Sequence, residues 1–169
     1  MSKCMAINTL FFYKENYKKR SKMKIHDIIV TPLKIISDDR GKVMHMLRKD
    51  DKIFSKFGEI YFSTILLNKI KAWHLHKEST LNYSCIKGKV KLVLFDNRKN
   101  SPSKGALEEI ILSPTNHSLI TIPNNIWNGF KGLSKEESII ANCLTIPHNE
   151  KEMVRISHDD KLINYNWKK

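Results

Sequence analysis

The sequence predicts an all-β domain, a sandwich or barrel of short strands, on three observations. Runs of 6–9 residues rich in Ile, Val, Leu, Tyr and Thr recur along most of the chain. Gly, Pro, Asn, Asp and Ser punctuate them. No amphipathic helix longer than about three turns is legible between them.

In order, the runs are IIVTPLKII (28–36), KVMHMLR (42–48), IYFSTILL (60–67), KAWHLH (71–76), TLNYSCI (80–86), VKLVLFD (90–96), EEIILS (108–113), SLITIP (118–123) and SIIANCLTI (138–146). Within TLNYSCI, Leu81, Tyr83 and Cys85 alternate with Asn82 and Ser84, the period of a strand with two unlike faces. Gly88 separates that run from the next, where a hairpin needs a residue tolerant of positive φ. RKNSPSKG (98–105), with Pro102 and Gly105, reads as a loop.

A chain of 169 residues suits one domain with a short tail, and 41% hydrophobic with 28% charged residues is an ordinary soluble composition. Residues 1–22 differ from the rest, carrying Lys3, Lys14, Lys18, Lys19, Arg20 and Lys22 against Glu15 alone. They read as a basic N-terminal extension, disordered or preceding the true start at Met23, with one domain over 23–169. The net charge of +13 admits nucleic acid, an anionic membrane surface or a phosphorylated small molecule. The lysines are scattered and no nucleic-acid recognition motif accompanies them, so neither nucleic acid nor membrane is expected as a partner. Three cysteines, Cys4, Cys85 and Cys143, make neither a disulfide framework nor a zinc set. With no signal-peptide pattern, the reading is cytoplasmic.

The stretch Lys71-Ala72-Trp73-His74-Leu75-His76-Lys77 is the one that suggests chemistry. On a strand His74 and His76 share a face, with Trp73 and Leu75 on the other. Paired imidazoles suit proton transfer or metal binding, or else one is a hydrogen-bonded core histidine.

The ordered set Asp39-Arg40-Gly41, Phe57-Gly58-Glu59 with Ser63, Lys71-Ala72-Trp73-His74, Lys87-Gly88-Lys89-Val90, Asp96-Asn97-Arg98, Ser101-Pro102-Ser103-Lys104-Gly105, Ile122-Pro123, Asn128-Gly129-Phe130, Leu133-Ser134, Asp159-Asp160 and Trp167 resembles the dTDP-4-dehydrorhamnose 3,5-epimerases. That family is a metal-free branch of the cupin-type (jelly-roll) β-barrels. The resemblance implies epimerisation of a nucleotide-linked 4-keto-6-deoxyhexose, by removal and return of a proton at C3 and/or C5, within polysaccharide precursor biosynthesis. It also implies a homodimer. His74 stands at the catalytic histidine, Asp159 (or Asp160) at the carboxylate that holds it, Arg40 and Lys71 at the diphosphate, and Glu59 near the nucleotide. No cofactor and no metal is expected: Asn128 stands where a metal-binding cupin would place a third histidine, and an amide is a poor ligand.

The chain departs from the family at its catalytic lysine and tyrosine, which align with Leu81 and Ala141. The family's His-Gly-Phe becomes Asn128-Gly129-Phe130, and a glutamate becomes His45. Losing an oxyanion donor costs roughly 10²–10³ in rate, so other groups are needed. Tyr83 is the acid expected, with His76, Lys77 and Tyr61 the other substitutes; His76 and Asn128 join the substrate-binding set. His74-Leu75-His76-Lys77 also resembles a segment of the dTDP-sugar 3,4-ketoisomerases. An inactive sugar-nucleotide-binding barrel is the non-enzymatic alternative.

Overall fold

A computed structural model of the chain describes residues 23–168, so the basic extension 1–22 lies outside the described residues. Twelve strands and two single 3-10 turns make up the described secondary structure. The strands are β1 (Ile29–Pro32), β2 (Ile35–Asp38), β3 (Gly41–Met44), β4 (Glu59–Ile65), β5 (Ile70–His76), β6 (Leu81–Lys87), β7 (Val90–Asp96), β8 (Leu107–Leu112), β9 (Ser118–Ile122), β10 (Ile126–Gly132), β11 (Ser138–Leu144) and β12 (Met153–Arg155). Two five-stranded sheets, β1-β9-β6-β11-β4 and β12-β5-β10-β7-β8, face each other, and β2–β3 stands apart as a hairpin. The pairs β4–β11, β5–β10, β6–β9 and β7–β8 are all antiparallel, which is one long hairpin wound into a jelly roll. No helix among the described residues is long and apolar enough to cross a membrane.

The core lies between the sheets. Leu81, Tyr83 and Cys85 enter it from β6, as their alternation predicts, and meet Leu92 and Leu94 of β7, Ile120 and Ile122 of β9 and Phe130 of β10. A second cluster covers the outside of the other sheet, where Trp73, Val93 and Trp127 pack against Ile163 and Trp167 of the closing segment. Trp73 is fully buried there, its ring 5.0 Å from that of Trp167.

The structure divides the first predicted run in two. Pro32 ends β1, because it has no N–H to continue a ladder, and β2 begins at Ile35. The predicted runs also lack β10, in which Asn128, Gly129 and Gly132 dilute the apolar pattern. It nevertheless forms the middle of its sheet, between β5 and β7. Its glycine has a packing reason. Pairing of β10 with β5 shifts register between Asn128 and Phe130, two β5 residues standing against the single Gly129. A Cβ on Gly129 would lie 2.3 Å from the Cβ of Ala72.

Loop 98–105 is held from below by Asp96, whose carboxylate is completely buried. It accepts from Arg98 Nε at 3.0 Å, Ser101 Oγ at 2.5 Å and Ser103 Oγ at 2.7 Å. Arg98 in turn reaches Asp27 Oδ2 and the His26 carbonyl, each at 3.1 Å, tying the loop to the start of the domain. Burial pushes the Asp96 carboxyl up, but the hydrogen bonds from Arg98, Ser101 and Ser103 outweigh it and hold the group well below its usual range.

Two predictions follow from this packing. Asp96→Asn should destabilise the domain by about 3 kcal/mol in urea unfolding. Because the folded pKa is depressed, the stabilisation is complete above the ordinary carboxyl value of 3.8 and is lost as pH falls below it. The variant should therefore lose stability less steeply than the parent below about pH 4; equal slopes would refute the assignment. Gly129→Ala should cost about 1–3 kcal/mol by overpacking against Ala72, read as a lowered urea midpoint.

Candidate functional site

A cavity of about 270 Å³ opens between β4 and β11 on one sheet and β5 and β12 on the other. His74 and His76 enter it together from β5, as strand alternation requires. Lys71 lines it too, although simple alternation would place it on the side of Trp73. The bulge opposite Gly129 is the cause: the extra β5 residue brings Lys71 and His74 to the same face. From the facing sheet come the phenols of Tyr61 on β4 and Tyr83 on β6 with the Ser63 hydroxyl, and Arg155 of β12 and His148 complete the polar lining.

The two histidines sit in different surroundings. Nδ1 of His76 lies 2.5 Å from Oε1 of Glu152, and both residues are about 95% buried, at 5% and 4% exposure. The other Glu152 oxygen accepts from the Lys77 amide at 3.0 Å and the Glu78 amide at 3.3 Å. Burial raises the Glu152 carboxyl, yet the hydrogen bond and charge of His76 with the Glu78 and Ser79 amides leave it below its ordinary value. The His74 imidazole has no hydrogen-bond partner among the described residues. Burial, aided by Arg155, His76 and Lys71, pulls it down from 6.5 to about 4, so it is neutral at pH 7.

Across the cavity the phenols are linked. Asn142 Nδ2 donates to Tyr61 Oη at 2.9 Å, and Tyr83 Oη donates to Asn128 Oδ1 at 3.2 Å. Burial raises both phenols, Tyr83 well above the usual value, with the neighbouring Tyr61 adding to the shift. Asn128 is fully buried and donates Nδ2 to the His74 carbonyl at 3.0 Å, so it braces the wall rather than lining the space.

The other expected site residues fall elsewhere. Asp159 is exposed and bonded to Ser157, and Asp160 accepts from the Leu162 amide, so the structure does not bring either carboxylate to the His74 ring. The segment they occupy packs on the outer face of the sheet, behind Trp73. Arg40 sits at the tip of the β2–β3 hairpin with its side chain 85% exposed, paired with Asp38 and outside the cavity. Glu59 opens β4 with Oε1 buried and unpartnered among the described residues, close enough to Tyr61 to raise its phenol. Leu81 is core, as its place in the strand pattern predicts. Ala141 pairs with outward-facing Phe62; the inward neighbour is Asn142, opposite Tyr61.

Sequence reasoning missed Glu152 and Arg155. Both lie in a stretch too short and too charged to read as a strand, and their role depends on β12 pairing with β5, Arg155 against His74 and Met153 against His76. Among the described residues no group of three or more His, Cys, Asp or Glu side chains is placed to hold a metal ion.

Known proteins resemble the chain in sequence and fold. A family profile described as dTDP-4-dehydrorhamnose 3,5-epimerase matches residues 22–169. The probable low-salt glycan biosynthesis epimerase Agl13 of Haloferax volcanii is 31% identical over 147 residues, covering 85% of this chain and 94% of that protein. The spore coat polysaccharide biosynthesis protein SpsL of Bacillus subtilis is 29% identical, over 78% of this chain and 88% of that one. The crystal structure of a dTDP sugar isomerase from Desulfovibrio desulfuricans G20 is 35% identical, covers 88% of this chain and 96% of that one, and superposes with a TM-score of 0.85. A β-jelly roll with a histidine-lined cavity between its sheets and a profile match over the whole described domain lead to one conclusion: the chain belongs to the dTDP-4-dehydrorhamnose 3,5-epimerase family.

Proposed function

We propose that this protein epimerises a nucleotide-linked 4-keto-6-deoxyhexose by deprotonation and reprotonation at a carbon beside the ketone. The observation that carries the reading is the pairing of opposed walls, imidazoles on β5 and phenols on β4 and β6 across one cavity. A C4 ketone acidifies the protons on C3 and C5. Inversion needs a base on one face of the ring and an acid on the other, and the two sheets supply both. His74, by the family resemblance, and His76 beside it provide the basic wall. Tyr61 and Tyr83 provide the acidic one, their raised phenols keeping the proton at neutral pH. With a leucine at the family's lysine position, Lys71 and Arg155 are the cations available to the enolate oxygen and the diphosphate. Glu59, whose Oε1 has no partner among the described residues, is a candidate for the nucleotide, and Asn128 holds His74 and Tyr83 in place.

The cavity of about 270 Å³ takes the sugar, while the nucleotide lies at the open mouth. The free thiols of Cys85 and Cys143 fit the reducing cytoplasm.

A homodimer fits the exposed surface. Ile36 and Val43, cross-strand partners on the hairpin, are 48% and 58% exposed. At the edge of its sheet among the described residues, β4 exposes Ile60 and Phe62 at 49% and 61%. A second copy's hairpin on that edge would carry Arg40 toward the diphosphate. Phe62→Asp should convert a dimer to a monomer in sedimentation; a monomeric parent chain would overturn the arrangement.

The function is tested by proton exchange in D₂O with dTDP-4-keto-6-deoxyglucose, followed at C3 and C5 by NMR. Deuterium should enter at one or both carbons, and His74→Asn/His76→Asn together should lower the rate at least about 10²-fold. A ketone moved to C3 would favour the 3,4-ketoisomerase reading, which the paired histidines also suit. Binding without exchange would leave a sugar-nucleotide-binding barrel.

A further inference from the structure

We infer that His76, oriented by Glu152, is the base that takes the carbon-bound proton, and that His74 serves the substrate as a neutral neighbour. The inference rests on the enolising reading above and assigns the work within it. It moves the base two residues from where the family resemblance places it, and its carboxylate from Asp159 to Glu152.

The geometry makes the case. An ionised carboxylate only accepts hydrogen bonds, so the 2.5 Å contact with Glu152 Oε1 requires a proton on Nδ1 of His76. That tautomer leaves the Nε2 lone pair for the cavity that His76 lines. Glu152 is itself fixed, its second oxygen taking the amides of Lys77 and Glu78, which directly follow His76 in the chain. The pair is thus clamped at both ends before any substrate arrives. His74 has no comparable partner among the described residues and faces Arg155 across the β5–β12 ladder.

Charge decides in the same direction. When the C–H bond breaks, its electron pair moves to the C4 oxygen as an enolate and the proton goes to Nε2. The resulting imidazolium on His76 is compensated by Glu152. On His74 it would form beside Arg155 and Lys71, whose charges already oppose it. Glu152 stays ionised throughout. The enolate collapses by taking the Tyr61 proton on the opposite face, and solvent then removes the His76 proton and restores that of Tyr61. Lys77, whose Nζ is bonded to the Lys151 carbonyl at 2.9 Å, is engaged elsewhere.

The groups facing His76 are His74 and Lys71 on β5, Arg155 on β12, His148 in the loop before Glu152, and Tyr61 and Tyr83 on the opposite sheet. Glu152 supplies the only carboxylate hydrogen-bonded to its ring among the described residues. It is a positioning residue, and its removal should move a titration as well as a rate. Without the carboxylate the imidazole becomes less basic, so the acid limb of the pH–rate profile should shift to lower pH.

The test uses the full chain and dTDP-4-keto-6-deoxyglucose in D₂O, measuring exchange from pH 5 to 9 for the parent and four variants, with dTDP affinity and melting temperature as fold controls. His76→Asn should lose about 10²-fold or more in exchange. Glu152→Gln should lose at least about tenfold with its acid limb displaced downward, and Glu152→Asp should recover part of both. His74→Asn should leave the limb in place. Exchange in His76→Asn within about threefold of the parent, or a Glu152→Gln limb that stays put while the rate falls, overturns the assignment and leaves the enolising reading standing. If both histidine variants lose exchange, the Glu152→Gln limb decides. A parent chain that exchanges neither carbon sinks the enolising reading and this assignment with it.

Discussion

The burial of Trp73 against the closing segment is the constraint on which the site depends. Its indole is fully buried, its ring centre 5.0 Å from that of Trp167 at a tilt and 6.0 Å from that of Tyr165 edge-on, and its amide donates to the Ile156 carbonyl at 2.9 Å. An aromatic side chain of this kind removes roughly 150–250 Å² from water, so turning it out of its cluster would cost about 4–6 kcal/mol. Strand faces alternate, so a one-residue slip of β5 would bring Trp73 into the polar cavity and turn both histidines out. The outer hydrophobic cluster decides which face of β5 meets the cavity, and Glu152 then orients the His76 ring.

The same strand departs from strict alternation at one point, and that departure gives the site its charge. Against the bulge at Gly129, Lys71 swings to the histidine side, while β12 brings Arg155 beside His74. The cavity then holds cations on the His74 side and the buried carboxylate of Glu152 on the His76 side. In the proposed reaction a diphosphate and a developing enolate would meet positive charge, and a proton leaving carbon would meet the imidazole that Glu152 compensates. Two chemically identical side chains acquire different properties from their neighbours alone.

The losses at Leu81 and Ala141 look severe in one dimension and less so in three. Leu81 belongs to the core, and the inward position beside Ala141 is occupied by Asn142, which donates to the Tyr61 hydroxyl. The phenol reaches the cavity from β4, the strand paired with β11, instead of from β11 itself. Adjacent strands present side chains to the same space, so a functional group can change strands without leaving the site. An aligned sequence position records the backbone's order and is blind to that exchange.

Local pattern was enough to read the all-β class, the inward face of Leu81, Tyr83 and Cys85, the shared face of His74 and His76 opposite Trp73, and, through the ordered motifs, the family. Each of these depends on spacing along one strand or on order along the chain, quantities the sequence carries directly. β10 escaped because Gly129 serves a close approach to Ala72, a contact made by a strand more than fifty residues away in the chain. Glu152 and Arg155 escaped because nothing around Met153–Arg155 marks a strand until β5 pairs with it. Asp159 was a reasonable partner for His74 by order, yet the chain that carries it packs on the far side of the sheet. Which side chains can alternate is a local property of the backbone, whereas which carboxylate meets which imidazole is set by long-range pairing, and only the folded sheets decide it.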